Sequence, residues 1–343
     1  MHASDQPGKT GIRLVASLAG VSHMTVSRVL NGHTNIRPAT RQRVLDVISE
    51  LNFTPSTAAR ALATHRSRQI GVVVESAVEY GPMSTIRAIE EAARDMGYTL
   101  TMATSHRGKL TPTQSVDHLL AQGVEALCMI APRTSSLLAL RQMPITVPVL
   151  VIKSTADRAF LTAGVDQVLG TNLLVDHLVE LGHRDILHIA GPLDWSDAQI
   201  RARAFHARMR KLGLPNRPHV LGDWTADTGY AFASSLEAMP EYTAIFAAND
   251  DLALGVMHGL HDRGIDVPGD ISVVGFDDLP TSRHLRPPLT TVRQDFTALG
   301  VRALEVLRSA LESEPSEVST RQAKIPSRLV LRESTAPPRS AAQ

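Results

Sequence analysis

Cysteine is almost missing from the 343-residue sequence: Cys128 stands alone, so no internal disulfide can form and a reducing compartment is implied. It lies in the apolar stretch 126–130, which reads as a buried structural thiol rather than a nucleophile. Long hydrophobic runs are missing too. The longest strongly apolar ones, such as 147–152, fall far short of the ~20 residues that a membrane span needs. The opening residues, MHASDQPGKTG, contain no apolar core of a secretory signal. A soluble, cytoplasmic protein without a membrane partner is expected.

Catalytic signatures are equally scarce. There is no Gly-rich phosphate fingerprint, no G-x-S-x-G elbow and no kinase motif set. His258 and His261 form an H-x-x-H pair, but no H-E-x-x-H motif or cysteine cluster accompanies it, so a zinc site is not expected. The acid pairs Asp250-Asp251 and Asp277-Asp278 are sequence neighbours, which turns their side chains apart and makes a poor glycosidase dyad. The sequence argues against an enzyme, and no cofactor or metal is implied.

Hydrophobic residues at 43% and charged residues at 20% fit a chain with a full core, long enough for roughly two to three domains. The net charge of +1 conceals an asymmetry. Residues 1–70 hold nine Lys/Arg against three acids, a net of +6, and the remainder holds 26 against 31, a net of −5. A small basic module on a mildly acidic body suggests nucleic-acid binding confined to one end, although a merely solvated basic face would look the same.

The first sixty residues read as short helices. Ile12, Val15, Ala16 and Ala19 recur at helical spacing before Gly20; Ser22 caps a second helix whose stripe is Val26, Val29 and Leu30. Pro38 suits the first turn of a third, with Val44, Val47, Ile48 and Leu51 on one face. The alanine-rich stretch 56–63 favours helix, but eight residues are too few to hold one alone in water. From residue 68 onward short apolar runs alternate with amphipathic stretches, and the pattern restarts near 165. That alternation predicts two α/β subdomains with parallel, doubly wound sheets. The stretch 334–343 reads as a disordered tail.

Ligands of open parallel sheets bind beyond the carboxyl ends of the strands. Four apolar runs lead directly into polar residues there: Asn249-Asp250, Asp277-Asp278, Lys153 and Glu75. Such groups suit a hydroxyl-rich ligand, on which Trp224 can stack and Arg201 can fork. The competing reading is that the acids and Asn249 only cap the turns or helices that follow.

The segments LAGVSHMTVSRVLNG (18–32), ANDDLALG (248–255), DISVVGFDDLP (270–280) and PPLTTVRQDFTALG (287–300) resemble the LacI family of bacterial repressors. The likeness runs from about residue 12 to 337. It implies a helix-turn-helix DNA-binding domain over 1–54, a hinge helix and linker over 55–67, and a periplasmic-binding-protein-like regulatory core over 68–337. The core would divide into about 68–163 with 294–323, and 164–293 with 324–337, leaving 338–343 as a tail.

For DNA, the resemblance implies a double-stranded palindromic operator read by the second helix. His23, Met24 and Arg28 would face base edges; Ser22, Thr25, Ser27, Asn31 and Thr34 would anchor phosphates. In the hinge, Leu62 would wedge into the minor groove, with small Ala59 and Ala63 allowing close approach of a homodimer's paired helices. For the effector, the resemblance implies Arg201, Asn249, Asp277 and Gln294 as saccharide-binding groups between Trp224 and Phe296.

Departures from the family pattern also carry information. Gly11 and Leu14 stand where a Thr-x-x-Asp capping box is usual. Lys153 replaces an aspartate found in the branch these segments resemble, and Glu75 and Glu79 replace small or apolar groups. Lys153 then either faces an anionic sugar or pairs with Glu75 and leaves a neutral saccharide as ligand, the second being preferred. No leucine heptad follows Pro337, so a dimer is expected rather than a tetramer. The expected function is a repressor of carbohydrate-utilisation genes released by a small sugar; a corepressor-dependent regulator or activator responding to an anionic sugar, or a pure sugar-binding protein, are the alternatives.

Overall fold

The computed structural model describes residues 11–54, 61, 66–75, 79–104, 111–312 and 323–339. The chain divides into two compact units, residues 1–67 and 68–343.

The N-terminal unit contains α1 (Ile12–Leu18), α2 (His23–Leu30) and α3 (Pro38–Glu50). Helical periodicity gives each helix one apolar stripe, and Val15, Ala19, Val26, Val29, Val44 and Val47 close into a small shared core. The Ser22 hydroxyl accepts the Thr25 amide at 3.2 Å and caps α2. Gly11, by contrast, offers α1 no side-chain cap. Gly20 adopts φ +62 between α1 and α2, a conformation that L side chains rarely take.

The larger unit is built on two parallel sheets. The first has six strands in the order β11-β5-β4-β3-β1-β2, with β1 (Gln69–Val74), β2 (Thr99–Thr104), β3 (Ala126–Ile130), β4 (Val149–Ile152), β5 (Leu161–Val165) and β11 (Ala323–Ile325). The second has four in the order β7-β6-β8-β9, with β6 (Ile186–Ala190), β7 (Val220–Leu221), β8 (Ala244–Ala247) and β9 (Ser272–Val274). The antiparallel pair β10 (Thr291–Arg293) and β12 (Arg328–Val330) is a further small ribbon. Helices α4 (Tyr80–Asp95), α5 (Pro112–Ala121), α6 (Thr134–Leu140) and α11 (Phe296–Glu312) accompany the first sheet. Helices α7 (Gln167–Glu180), α8 (Ser196–Lys211), α9 (Ala226–Ser234) and α10 (Asp250–Asp262) accompany the second. Strands buried on both faces read as apolar runs, which is why β1 and β3 stand out in the sequence, and β6 too although His188 interrupts it. No helix among the described residues is long and apolar enough to cross a membrane.

Residues 334–339 are not a loose tail. Ser334 is fully buried; its hydroxyl donates to the Val273 carbonyl at 2.6 Å and accepts the Thr290 amide at 2.8 Å. The Ala336 carbonyl meets His183 Nε2 at 2.9 Å, and Arg339 pairs with Asp270. Prolines suppressed the apparent order of this stretch in the sequence, but an extended strap needs no amide donors where prolines sit.

Candidate functional site

The strand ends of the larger unit open onto one cleft lined from both sheets. Glu79, at the start of α4, and Lys153, following β4, come from the first side. Arg201 on α8, Trp224 after β7, Asn249 after β8 and Asp277 after β9 come from the second. Gln294, just after β10, and Phe296, the first residue of α11, complete the set. Eight of the nine effector residues expected from the sequence therefore share a single cavity. Glu75 is not among its lining residues.

Four buried side chains form a closed ring at its floor. Arg201 donates from Nε to Gln167 Oε1 at 2.9 Å, Gln167 from Nε2 to Gln294 Oε1 at 2.9 Å, and Gln294 from Nε2 to Asp277 Oδ1 at 2.6 Å. Arg201 Nη2 lies 3.3 Å from the same Asp277 oxygen and closes it. The guanidinium lies 3.8 Å from the Phe276 ring centroid, so its planar face is covered while its edge bonds. Burial pushes the Asp277 carboxyl up to about 6, against the opposing pull of Arg201 and Gln294. The ring fixes the rotamers of groups that can then present their remaining hydrogen-bonding edges to a ligand.

Aromatic walls flank the ring. Trp195 and Trp224 meet edge to face, centroids 6.1 Å apart at 70°. Gly191 permits this, because a Cβ there would collide with the Trp224 ring. Ala131, Trp224 and Asp277, all lining the cleft, have positive φ values of 51, 75 and 112. Non-glycine residues in this region are uncommon and cluster at functional sites. Asn249 does cap α10, accepting the Leu252 amide at 2.9 Å, and also donates to the Trp224 carbonyl at 3.0 Å. The capping and site readings of Asn249 are thus compatible. Asp250 and Asp278 are structural: Asp250 accepts from Ser282, Thr291 and the Leu279 amide, and Asp278 holds Arg293 and Arg332.

Lys153 does not pair with Glu75. Its ammonium sits 2.6 Å from Asp157 Oδ2, which Arg141 also reaches at 2.8 Å. Glu75 instead receives the Arg133 amide at 3.0 Å and the Ser136 hydroxyl at 2.8 Å, tying the end of β1 to the start of α6. Glu75 follows β1 and Lys153 follows β4 with β3 between them in one sheet, while Asp157 lies in the loop just beyond Lys153 and the Arg133 amide and Ser136 already hold Glu75. Sequence reasoning also missed Gln167, Trp195 and Asp197. A readable signal existed for Asp197, which lies four residues before Arg201 and so on the same helix face.

In the N-terminal unit, His23, Met24 and Arg28 lie exposed on α2, Met24 at 55%. Ser22, Asn31 and Thr34 are exposed too, and Thr25 and Ser27 are half-buried. Val26 and Val29 of the same helix are buried. Ala59, Leu62 and Ala63 lie outside the described residues.

Residues 12–56 match the description "Bacterial regulatory proteins, lacI family", and residues 175–335 match a periplasmic binding protein-like domain. The lactose operon repressor of Escherichia coli K12 is 33% identical over 329 residues, spanning 94% of this chain and 90% of that protein. This chain belongs to the LacI family. Another LacI-family relative, catabolite control protein A of Priestia megaterium, is 30% identical over 94% of this chain and 98% of its own length. A crystal structure of the lac repressor dimer bound to operator and the anti-inducer ONPF matches with a TM-score of 0.85 at 32% identity, over 95% of this chain and 99% of that one. For this LacI-family member the expected architecture holds: a helix-turn-helix unit and a periplasmic-binding-protein-like core of parallel sheets.

Proposed function

We propose that the chain is a homodimeric repressor of carbohydrate-utilisation genes whose hold on a palindromic operator is weakened by a small saccharide in the cleft. The observation that carries this reading is the Arg201–Gln167–Gln294–Asp277 ring beneath indole walls: edge-directed polar groups and flat apolar faces are what a sugar ring presents a need for. Family membership supplies the DNA half, and a solved lac repressor dimer was captured on its operator. A relative in the same fold was solved with cellobiose.

Arg28 and His23 read base edges, Met24 meets a thymine methyl, and Ser22, Thr25, Ser27, Asn31 and Thr34 hold phosphates. Ala59, Leu62 and Ala63 form the minor-groove hinge. Saccharide binding favours one arrangement of the two subdomains, and that preference is transmitted to the hinge. A coupling of roughly 1–3 kcal/mol changes operator affinity about 5–150-fold, and operator must weaken saccharide binding by the same factor. Because Lys153 is already bonded to Asp157 and Arg201 to Asp277, neither cation of the cleft is left for an anionic sugar, and the inducer class is non-anionic.

The test is operator selection from random duplexes, followed by fluorescence anisotropy over a salt series with and without a saccharide panel. Salt-dependent, palindrome-specific binding that weakens with saccharide supports the reading. Strengthening by saccharide makes the protein a corepressor-dependent regulator, and absence of specific DNA binding overturns it.

A further inference from the structure

Polar atoms left bare inside the cleft define its ligand more narrowly. Eight buried side-chain polar atoms of the described residues have no hydrogen-bond partner, and four of them belong to cleft-lining residues. They are one carboxylate oxygen each of Glu79 and Asp197 and the indole N–H groups of Trp195 and Trp224. Buried polar groups are ordinarily satisfied, and a missing partner points to something bound there. Trp195 and Trp224 are 7% and 8% exposed, so their unused donors are enclosed.

The two carboxylates come from opposite sides. Glu79 precedes α4 on the six-stranded sheet's side, and Asp197 stands in the first turn of α8 on the other. The cations of the same cleft are already engaged: Arg201 with Asp277, and Lys153 with Asp157. Of the lining residues Glu79, Asp197 and Asp277 are acidic and Lys153 and Arg201 basic, so the surplus is negative. Both bare oxygens therefore want donors, and the surrounding charge favours a positive one.

We propose that Glu79 and Asp197 form a two-sided acceptor clamp, one jaw from each subdomain, that selects saccharides by charge: an amino saccharide above its neutral hydroxyl parent, and the parent above the corresponding uronate. This rests on the saccharide-regulator reading and adds the ligand's charge class. The indole donors meet hydroxyl or ring oxygens, which an amino saccharide still supplies. A donor group gripped by both jaws also holds the subdomains together, so the clamp is a positioning device as well as a filter. Burial raises the Asp197 carboxyl, and a bound ammonium would return it toward its ordinary value.

The experiment is isothermal titration of the full-length protein with three matched methyl glycosides: glucoside, 2-amino-2-deoxyglucoside and glucuronide, with the matching galactosides in parallel. Operator binding is measured separately on the same samples. The expected order is amino, neutral, uronate, with the ends separated roughly tenfold or more, the scale of one charge-assisted hydrogen bond. In E79Q/D197N the ratio between amino and uronate affinities collapses while the thermal transition and operator binding persist. The single variants E79Q and D197N guard against a fold defect in the double. A neutral or uronate glycoside binding at least as tightly as the amino form overturns the clamp, as does an unchanged ratio in a folded variant. Intact, specific operator binding with no saccharide bound also overturns it but leaves the DNA-regulator reading standing; loss of specific operator binding fails that reading instead.

Discussion

Lys153 Nζ and Asp157 Oδ2 lie 2.6 Å apart, both buried, and Lys153 lines the cleft. Burial alone would raise the Asp157 carboxyl, but hydrogen bonds from Lys153, the Ala159 amide and Arg141 outweigh it and hold the carboxyl at about 2. A folded-state value below the ordinary 3.8 means that this contribution is present above about pH 4. It is lost as the pH falls through 4 toward 2. Asp157→Asn removes the counter-charge while keeping the shape, and leaves an ammonium buried. We expect a loss of roughly 3 kcal/mol, read as a lower midpoint in urea, and partial recovery in K153M/D157N. An unchanged midpoint in D157N means that Arg141 and Lys153 find other partners.

Asp250 and Asp277 act in the opposite sense. Burial pushes their carboxyls up to about 7 and about 6, overriding the hydrogen bonds that each accepts. The folded state then holds more protons than the unfolded one between about pH 4 and 7. The stability these two carboxyls contribute falls as pH rises through that window. Burial lowers His188 to about 3 and also lowers His177, His183 and His219, which favours the higher pH, so the carboxyl share is read from urea titrations as the stability at pH 5 minus that at pH 7.5, wild type against variant. Asp277→Asn removes one of the two protons involved, so its difference between the two pH values should be smaller, whatever its absolute stability. Equal slopes in the wild type and D277N would place the titration elsewhere.

Ser334 ties the end of the chain to the core through the Val273 carbonyl and the Thr290 amide. Ser334→Ala removes the hydroxyl and strands a buried amide. The expected cost is roughly 1–3 kcal/mol, measurable by denaturant unfolding. Truncation after Glu333 should cost more, since it also removes the Ala336 contacts with His183 and Ser272. If truncation leaves the midpoint unmoved, the strap is decoration on the core rather than part of it.

Local periodicity made the three-helix unit legible, because its core is assembled from Val15, Val26, Val29, Val44 and Val47 at helical spacing. The buried strands were legible as apolar runs, and the polar residues after them led to the cleft. Short or composite elements were not. Helix α6 is seven residues without a side-chain cap, and β5 carries Gly164, which reads as a strand breaker. Gly164 is there because a Cβ would collide with the Lys153 backbone, a constraint visible only in three dimensions. Partner choice was the harder problem. Opposite charges at two strand ends suggested Lys153 with Glu75, yet Asp157 and Ser136, both outside the strands, decide where those two side chains bond.

Arg28 and Met24 are both exposed on α2, and the proposed DNA reading assigns them two different kinds of contact. Arg28 can bond guanine with two parallel donors, so Arg28→Ala should cost roughly 1–3 kcal/mol and relax specificity at one base pair per half-site. Met24 has no donor; Met24→Ala loses only apolar contact and should weaken binding by less, with discrimination falling at a thymine. Neither side chain supports the helical core, so both variants should unfold at the wild-type midpoint. Anisotropy against the selected operator and its single-base variants distinguishes the cases. A uniform loss across all sequences, with a shallower salt slope, would make Arg28 a phosphate anchor and move base reading to His23 and Met24.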